Sequence, residues 1–187
     1  MGKLNMKDWI GQTILNKKVI SIPIMTHPGI ELIGKTVHDA VTNGQVHYEA
    51  IKALCDKYPA AAATVIMDLT VEAEAFGAEI IFPENEVPSV SGRLLADEAA
   101  IDALPALNKG RIAQYLKANM LTAKNITDRP VLAGCIGPYS LAGRLYDMSE
   151  IMMLIYINPE AANTLLHKCT DFIIRYCMAL KATGVNG

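Results

Sequence analysis

Three places in this 187-residue chain set reactive or ligand-binding side chains directly behind a run that reads as a strand. Asp68 follows the short apolar run Ala63 to Met67, the pattern of a buried parallel strand with a polar residue at its C-terminal end. Thr26 and His27 follow the β-rich run Val19 to Met25, and Cys135 through Tyr139 follow Pro130 to Gly134. In open or closed parallel sheets such positions are where sites are built. Asp68 is the candidate catalytic group, because a carboxylate beside a buried strand is costly unless something uses it. Glu72 lies four residues on, which puts two carboxylates on one side if the intervening turn is helical. That pair reads either as a polar couple facing a pocket or as a cap and an exposed charge; for Glu72 and Glu74 the second reading is taken. His27, between a strand end and Pro28-Gly29, is equally a pocket residue or a turn residue. His38 and His47 read as surface.

His167-Lys168-Cys169 invites a metal reading. Residues two apart on a helix point about 200° from each other, at ~3.6 residues per turn, so the two cannot readily share an ion. His167 is therefore read as solvated, and Cys169 and Cys177 as core. No Gly-rich phosphate loop and no Gly-x-Ser-x-Gly turn is present, which disfavours nucleotide binding and a serine-hydrolase site.

The elements that must position these residues alternate. Trp9–Leu15 has helical spacing. Val19–Met25 reads as a strand despite Pro23, and Thr26 to Gly29 as a turn with glycine supplying positive φ. Gln45–Tyr58 is an amphipathic helix with Val46, Ala50, Ala53 and Leu54 about a turn apart, and Pro59 stops it. Thr70 is read as capping a short helix, Val71–Phe76, that Gly77 ends. Ala78–Phe82 is β-rich and Pro83–Gly92 a loop. Glu98–Leu104 and Arg111–Asn125 are helical, the second with Ile112, Tyr115, Leu116, Asn119 and Met120 on one face. Asn158 and Pro159 open a long helix to about Ala182, and a strand is expected at Val185–Gly187. Met148, Met152 and Met153 are read as packing. The alternation argues for an α/β fold with parallel strands and outer helices, doubly wound or a barrel.

Composition narrows the partners. Lys plus Arg is 17 and Asp plus Glu 19, a net charge of −2, with no basic block to neutralise phosphates. Neither nucleic acid nor a membrane surface is therefore an expected partner. The longest apolar stretch, Ile151–Ile157, is far short of the ~20 residues a membrane helix needs. No apolar h-region follows the polar start, Met1 to Lys7, so a signal peptide is not expected. Four cysteines without a secretory context read as reduced thiols, which points to the cytoplasm. Hydrophobic residues make up 51% of the chain. That content supports a well-buried domain, read as one unit over 1–187. The mean hydropathy of +0.23 reflects many buried elements or surface that a partner covers.

Three segments, in order, resemble the uroporphyrinogen decarboxylase superfamily, in its corrinoid methyltransferase branch. They are Pro23-Ile24-Met25-Thr26-His27-Pro28-Gly29-Ile30-Glu31-Leu32, the stretch Val65 to Ala78 with Asp68-Leu69-Thr70 inside it, and Ala133-Gly134-Cys135-Ile136-Gly137-Pro138-Tyr139-Ser140-Leu141-Ala142. The resemblance implies the N-terminal half of a (β/α)8 TIM barrel. In the methyltransferase branch it implies transfer of a methyl group from a methylated corrinoid protein to a small thiol such as coenzyme M, or to a related acceptor. Zn²⁺ there holds the acceptor sulfur, on ligands in the C-terminal half that this chain does not include. Asp68, Thr26, His27, Cys135, Tyr139 and Arg144 would line the pocket, with Arg144 placed to hold an anionic group, and no metal ligand is assigned. In the decarboxylase branch Asp68 matches an aspartate that binds pyrrole N–H groups. Thr26 and Ile30, however, stand where arginines hold substrate carboxylates, and Arg144 stands where a tyrosine is expected. A third reading is an inactive truncated module, since a half-barrel leaves open sheet edges and should self-associate.

Overall fold

The computed structural model describes residues 4–17, 19–24, 27–104 and 110–187. In chain order the elements are α1 (Met6–Leu15), α2 (His27–Leu32), α3 (Val37–Thr42), α4 (Gly44–Lys57), β1 (Ala63–Thr64), α5 (Val71–Ala75), β2 (Ile80–Ile81), β3 (Ser89–Val90), α6 (Ala99–Asp102), α7 (Ile112–Asn125), β4 (Val131–Leu132), α8 (Pro138–Tyr146), α9 (Met148–Ile157) and α10 (Pro159–Ala182). They divide between two compact units. The first holds residues up to Met67 with 113–134 and 179–187; the second holds 68–112 and 135–178.

In the first unit β1 and β4 pair in parallel, with Ala63 opposite Val131 and Thr64 opposite Leu132. Ala63 and Val131 join Ile51, Val65, Ile126 and Val185 in one apolar cluster. Each fully buried Val or Ile contributes roughly 1.5–3 kcal/mol through removal from water. The chain end lies along β4: Asn186 N–H donates to Val131 O at 2.9 Å, and Ala133 N–H donates to Gly187 O at 2.8 Å. The strand expected at Val185–Gly187 is not formed as an element; these backbone hydrogen bonds hold the run against β4 without making it one.

Helices cover this pair for local reasons. Thr36 and Asp39 form a reciprocal capping box on α3, and the Asn43 side chain accepts from Gln45 and Val46 N–H to start α4. The buried face of α4 is His47, Ala50, Ile51 and Leu54, one residue round from the face expected. His47 is accordingly not a surface residue. It is 1% exposed, its Nε2 accepts the Ile66 N–H at 2.9 Å, and its ring meets Tyr115 edge-on at 4.9 Å. A neutral imidazole that accepts at Nε2 carries its proton on Nδ1.

Two expectations in this unit fail. Residues 19–24 form no strand: Ser21 O accepts from Ala61 N–H at 3.0 Å, but Val19, Ile22 and Ile24 are exposed. Pro23 has no N–H to continue a ladder. Met25 lies outside the described residues. His27, Pro28 and Gly29 are not a turn but the first residues of α2. Gly29 is needed there for space, not for positive φ: a Cβ on it would sit 2.5 Å from Ala50 O and 2.7 Å from Leu54 Cδ1.

In the second unit α5 and α8 pack together, as do α8 and α9. Leu141, Leu145, Ile151 and Leu165 are fully buried, and Phe76 meets Phe172 with ring centroids 4.9 Å apart. The loop expected at Pro83–Gly92 contains β3, which pairs antiparallel with β2. The methionines read as packing are largely outside: Met148, Met152 and Met153 are each at least 40% exposed. Among the described residues no helix is long and apolar enough to cross a membrane.

Candidate functional site

The start of the second unit is held by Asp68. Its side chain is buried, and Oδ1 accepts from Thr70 N–H at 2.8 Å, Thr70 Oγ1 at 3.1 Å and Val71 N–H at 3.3 Å. The start of α5 is therefore capped by Asp68 and not by Thr70, whose own side chain makes no capping bond. Leu69, between them, sits at φ 61°. This left-handed conformation is strained for a non-glycine residue and persists where neighbouring bonds over-determine it.

Asp68 Oδ2 accepts from Arg111 Nη1, a contact with both side chains almost wholly out of water. The same guanidinium donates from Nε to Glu74 Oε2 at 2.7 Å and from Nη2 to Thr70 Oγ1 at 2.8 Å, and lies 4.7 Å from the Phe82 ring centre. The Arg111 backbone N–H donates to the same Glu74 oxygen at 3.2 Å. Gly110 makes this approach feasible, since its φ is +72° and a Cβ there would come within 2.5 Å of Glu74. One arginine fork thus ties the α5 segment to residues 110–111 through two carboxylates and a hydroxyl, the geometry for which Arg is suited and Lys is not.

Glu72, expected to be an exposed charge, is 3% exposed, and its Oε1 accepts the Ile136 N–H at 3.0 Å. Burial pushes its carboxyl above the ordinary value. The Ile136 N–H works against that rise, the Asp68 charge adds to it, and Arg144 opposes it. Cys135, half-buried, has its thiol pushed up to about 12, by burial first, then by the hydrogen bond and charge of Cys177, then by the charge of Glu72. Tyr176 is buried, and its hydroxyl is held above the usual phenol range by burial and by the Glu72 charge.

Of the residues singled out from sequence, Asp68, Cys135 and Arg144 therefore belong to one electrostatic neighbourhood centred on Glu72. Tyr139 is on the first turn of α8 and 36% exposed. His27 belongs to the first unit, at the start of α2, and its Nε2 is buried without a hydrogen-bond partner among the described residues. Thr26 lies outside the described residues. His167 is exposed and Cys169 buried, but Cys177 is exposed and not core; its Sγ lies 3.6 Å from that of Cys135. Sequence reasoning missed Arg111 and Glu74 as a pair. The available signal was a basic residue at the start of a helix, where the dipole disfavours it unless a carboxylate compensates. Among the described residues no group of three or more His, Cys, Asp or Glu side chains is disposed to hold a metal ion.

A parallel pair under outer helices, with a buried aspartate behind the first strand, has clear relatives. The family model for uroporphyrinogen decarboxylase (URO-D) matches residues 17–187, and the chain belongs to that family. Within the family it is 30% identical over 129 residues to the methylcobamide:CoM methyltransferase MtbA of Methanosarcina acetivorans and 32% identical over 129 residues to that of Methanosarcina mazei, in each case 67% of this chain. It is also 29% identical over 138 residues to the uroporphyrinogen decarboxylase of Xylella fastidiosa, covering 70% of this chain. The chain spans about two fifths of the length of these curated relatives, 38% or 39% in each case. A solved structure of a methyltransferase from Methanosarcina mazei superposes with a TM-score of 0.81, at 24% identity, over 98% of this chain and 57% of that one. That likeness supports the fold, an α/β arrangement with the parallel pair β1–β4 and outer helices, part of a TIM-barrel-like architecture.

Proposed function

We propose that the chain is the N-terminal part of a (β/α)8 methyltransferase that moves a methyl group from a methylated corrinoid protein to a thiol or related acceptor. The observation that carries this reading is the match, at 30% and 32% identity, to two methylcobamide:CoM methyltransferases. The corrinoid protein would be a macromolecular partner and the thiol a small-molecule substrate, both in the cytoplasm. Zinc, which such chemistry uses to hold a thiolate, does not fit the described residues, since Cys135 and Cys177 bring two sulfurs and no third ligand. Its ligands would lie in the remainder of a longer protein.

This chain's own contribution would be electrostatic and positional. Asp68 and Arg111 hold the α5 segment in place, so Asp68 acts as a positioning residue. Glu72 supplies a buried carboxyl whose charge is disfavoured, and Arg144 a cation for an anionic acceptor group, with Cys135 and Tyr139 on neighbouring backbone.

Uroporphyrinogen decarboxylation is the second reading, favoured by the family model and by several decarboxylase relatives. Against it, both carboxylate oxygens of Asp68 are engaged within the chain, where pyrrole N–H groups would need them. The test supplies the protein at its natural length with methylcobalamin and a small thiol, and follows loss of the cobalt–carbon absorbance. Thiol-dependent demethylation supports the reading. A cobalt–carbon bond that persists in a preparation that decarboxylates uroporphyrinogen overturns it.

A further inference from the structure

Cys135 and Cys177 take no part in the site's ion pairs, yet they are two thiols that the fold brings together, with Sγ atoms 3.6 Å apart across 42 residues of sequence. Cys177 is exposed on α10; Cys135 is half-buried, past the end of β4, where no ladder holds the backbone. Cys55 is half-buried in the other unit, and Cys169 is buried in the core. We propose that Cys135 and Cys177 form a dithiol site for thiol–disulfide exchange, oxidised by low-molecular-weight disulfides to an intramolecular bond.

The chemistry follows from exposure. The Cys177 thiolate attacks one sulfur of the small disulfide; a sulfur–sulfur bond forms to Cys177, and one small thiol leaves. Cys135 then gives up its proton and attacks the Cys177 sulfur, forming the protein disulfide and releasing the second small thiol. Two protein thiols are oxidised and one small disulfide is reduced to two thiols, so hydrogens and electrons balance. In the free dithiol, burial and Cys177 hold Cys135 protonated, with its thiol pushed up to about 12. Once Cys177 is in the mixed disulfide it is no longer a thiol, and its contribution to that elevation is removed. Closing the bond requires the sulfurs to move from 3.6 Å apart into covalent contact. Disulfide geometry is specific, so both side chains must rotate about their Cα–Cβ bonds to reach it. Next to Cys135 on the chain, the Ile136 N–H donates to Glu72.

The probe is oxidised glutathione on the purified 187-residue chain, followed by intact mass and by peptide mapping after alkylation. The expected product has lost the mass of two hydrogens and carries Cys135 linked to Cys177, while Cys55 and Cys169 stay alkylatable on unfolding. Cys135→Ser should trap one glutathione on Cys177. Cys177→Ser should slow modification of Cys135 by roughly tenfold or more, as the half-buried, protonated thiol reacts poorly. A stable glutathione adduct on the wild-type chain, a link between chains, a link to Cys55 or Cys169, or four unreacted thiols would each overturn the proposal. The wild-type mass decides even where a serine variant fails to fold.

Discussion

Removing the Arg111 guanidinium should strongly destabilise the second unit. Arg111→Ala deletes the donors to Asp68, Glu74 and Thr70 together with the contact to Phe82. It leaves Asp68, with its side chain 1% exposed, as an uncompensated buried charge, and Glu74, at 18%, as a partly buried one. Breaking a buried pair by removing one partner costs about 3–5 kcal/mol. At ~1.4 kcal/mol per tenfold, about 4 kcal/mol corresponds to about a thousandfold in the folding equilibrium, a large part of the stability of an ordinary domain. Urea unfolding followed by far-UV circular dichroism measures this as a lower midpoint at unchanged slope. Asp68→Asn keeps an oxygen for Thr70 and Val71 N–H, so it should lose less. The double variant should then lose less than the sum, because the charge that Arg111→Ala strands is already gone. Strict additivity, or a loss below about 1 kcal/mol for Arg111→Ala, the range of an exposed ion pair, would refute the reasoning.

Glu72 has a folded-state pKa above the ordinary 4.5, so the folded chain holds its proton more tightly than the unfolded one. Its unfavourable contribution therefore grows as pH rises from the unfolded value and levels off above the folded one. Glu72→Gln should gain stability relative to wild type over that rise, measured by urea midpoints across pH; a constant offset would contradict it. Gly29→Ala should destabilise by about 1–3 kcal/mol, because overpacking forces neighbours to shift. The new Cβ meets the α4 backbone, and an unchanged thermal midpoint would count against this. Cys169 is fully buried with its thiol pushed up to about 12, so native-state alkylation should label Cys177 first and Cys169 only on unfolding. Early labelling of Cys169 would show that the core opens. Ile155, Tyr156 and Ile157 are each at least 39% exposed on α9. Light scattering of the isolated chain should accordingly show self-association, and a strict monomer at high concentration would contradict this.

Much of the fold is legible from local pattern. The apolar runs of β1 and β4, the helical spacing of α4 and α7, and Asn158-Pro159 at the start of α10 each place an element correctly. Residues 19–24 show the limit, because an apolar β-branched run reads the same whether or not a neighbour pairs with it, and Pro23 removes the N–H that would decide. The site is less legible. Asp68 stands out as a polar residue after a strand, but its partner Arg111 lies 43 residues away, and only the fold joins them. His47 is a matter of phase: the spacing 47, 50, 51, 54 is as helical as the one chosen, and a histidine breaks the apolar pattern although its ring accepts the Ile66 N–H.

The most direct test of the functional account uses the protein at its natural length with a corrinoid protein carrying an isotope-labelled methyl group, a small thiol, and uroporphyrinogen in the same vessel, read by mass spectrometry. The account predicts the label on the thiol as a thioether and an intact uroporphyrinogen. A label that stays on cobalt while uroporphyrinogen loses its carboxyl groups would contradict it.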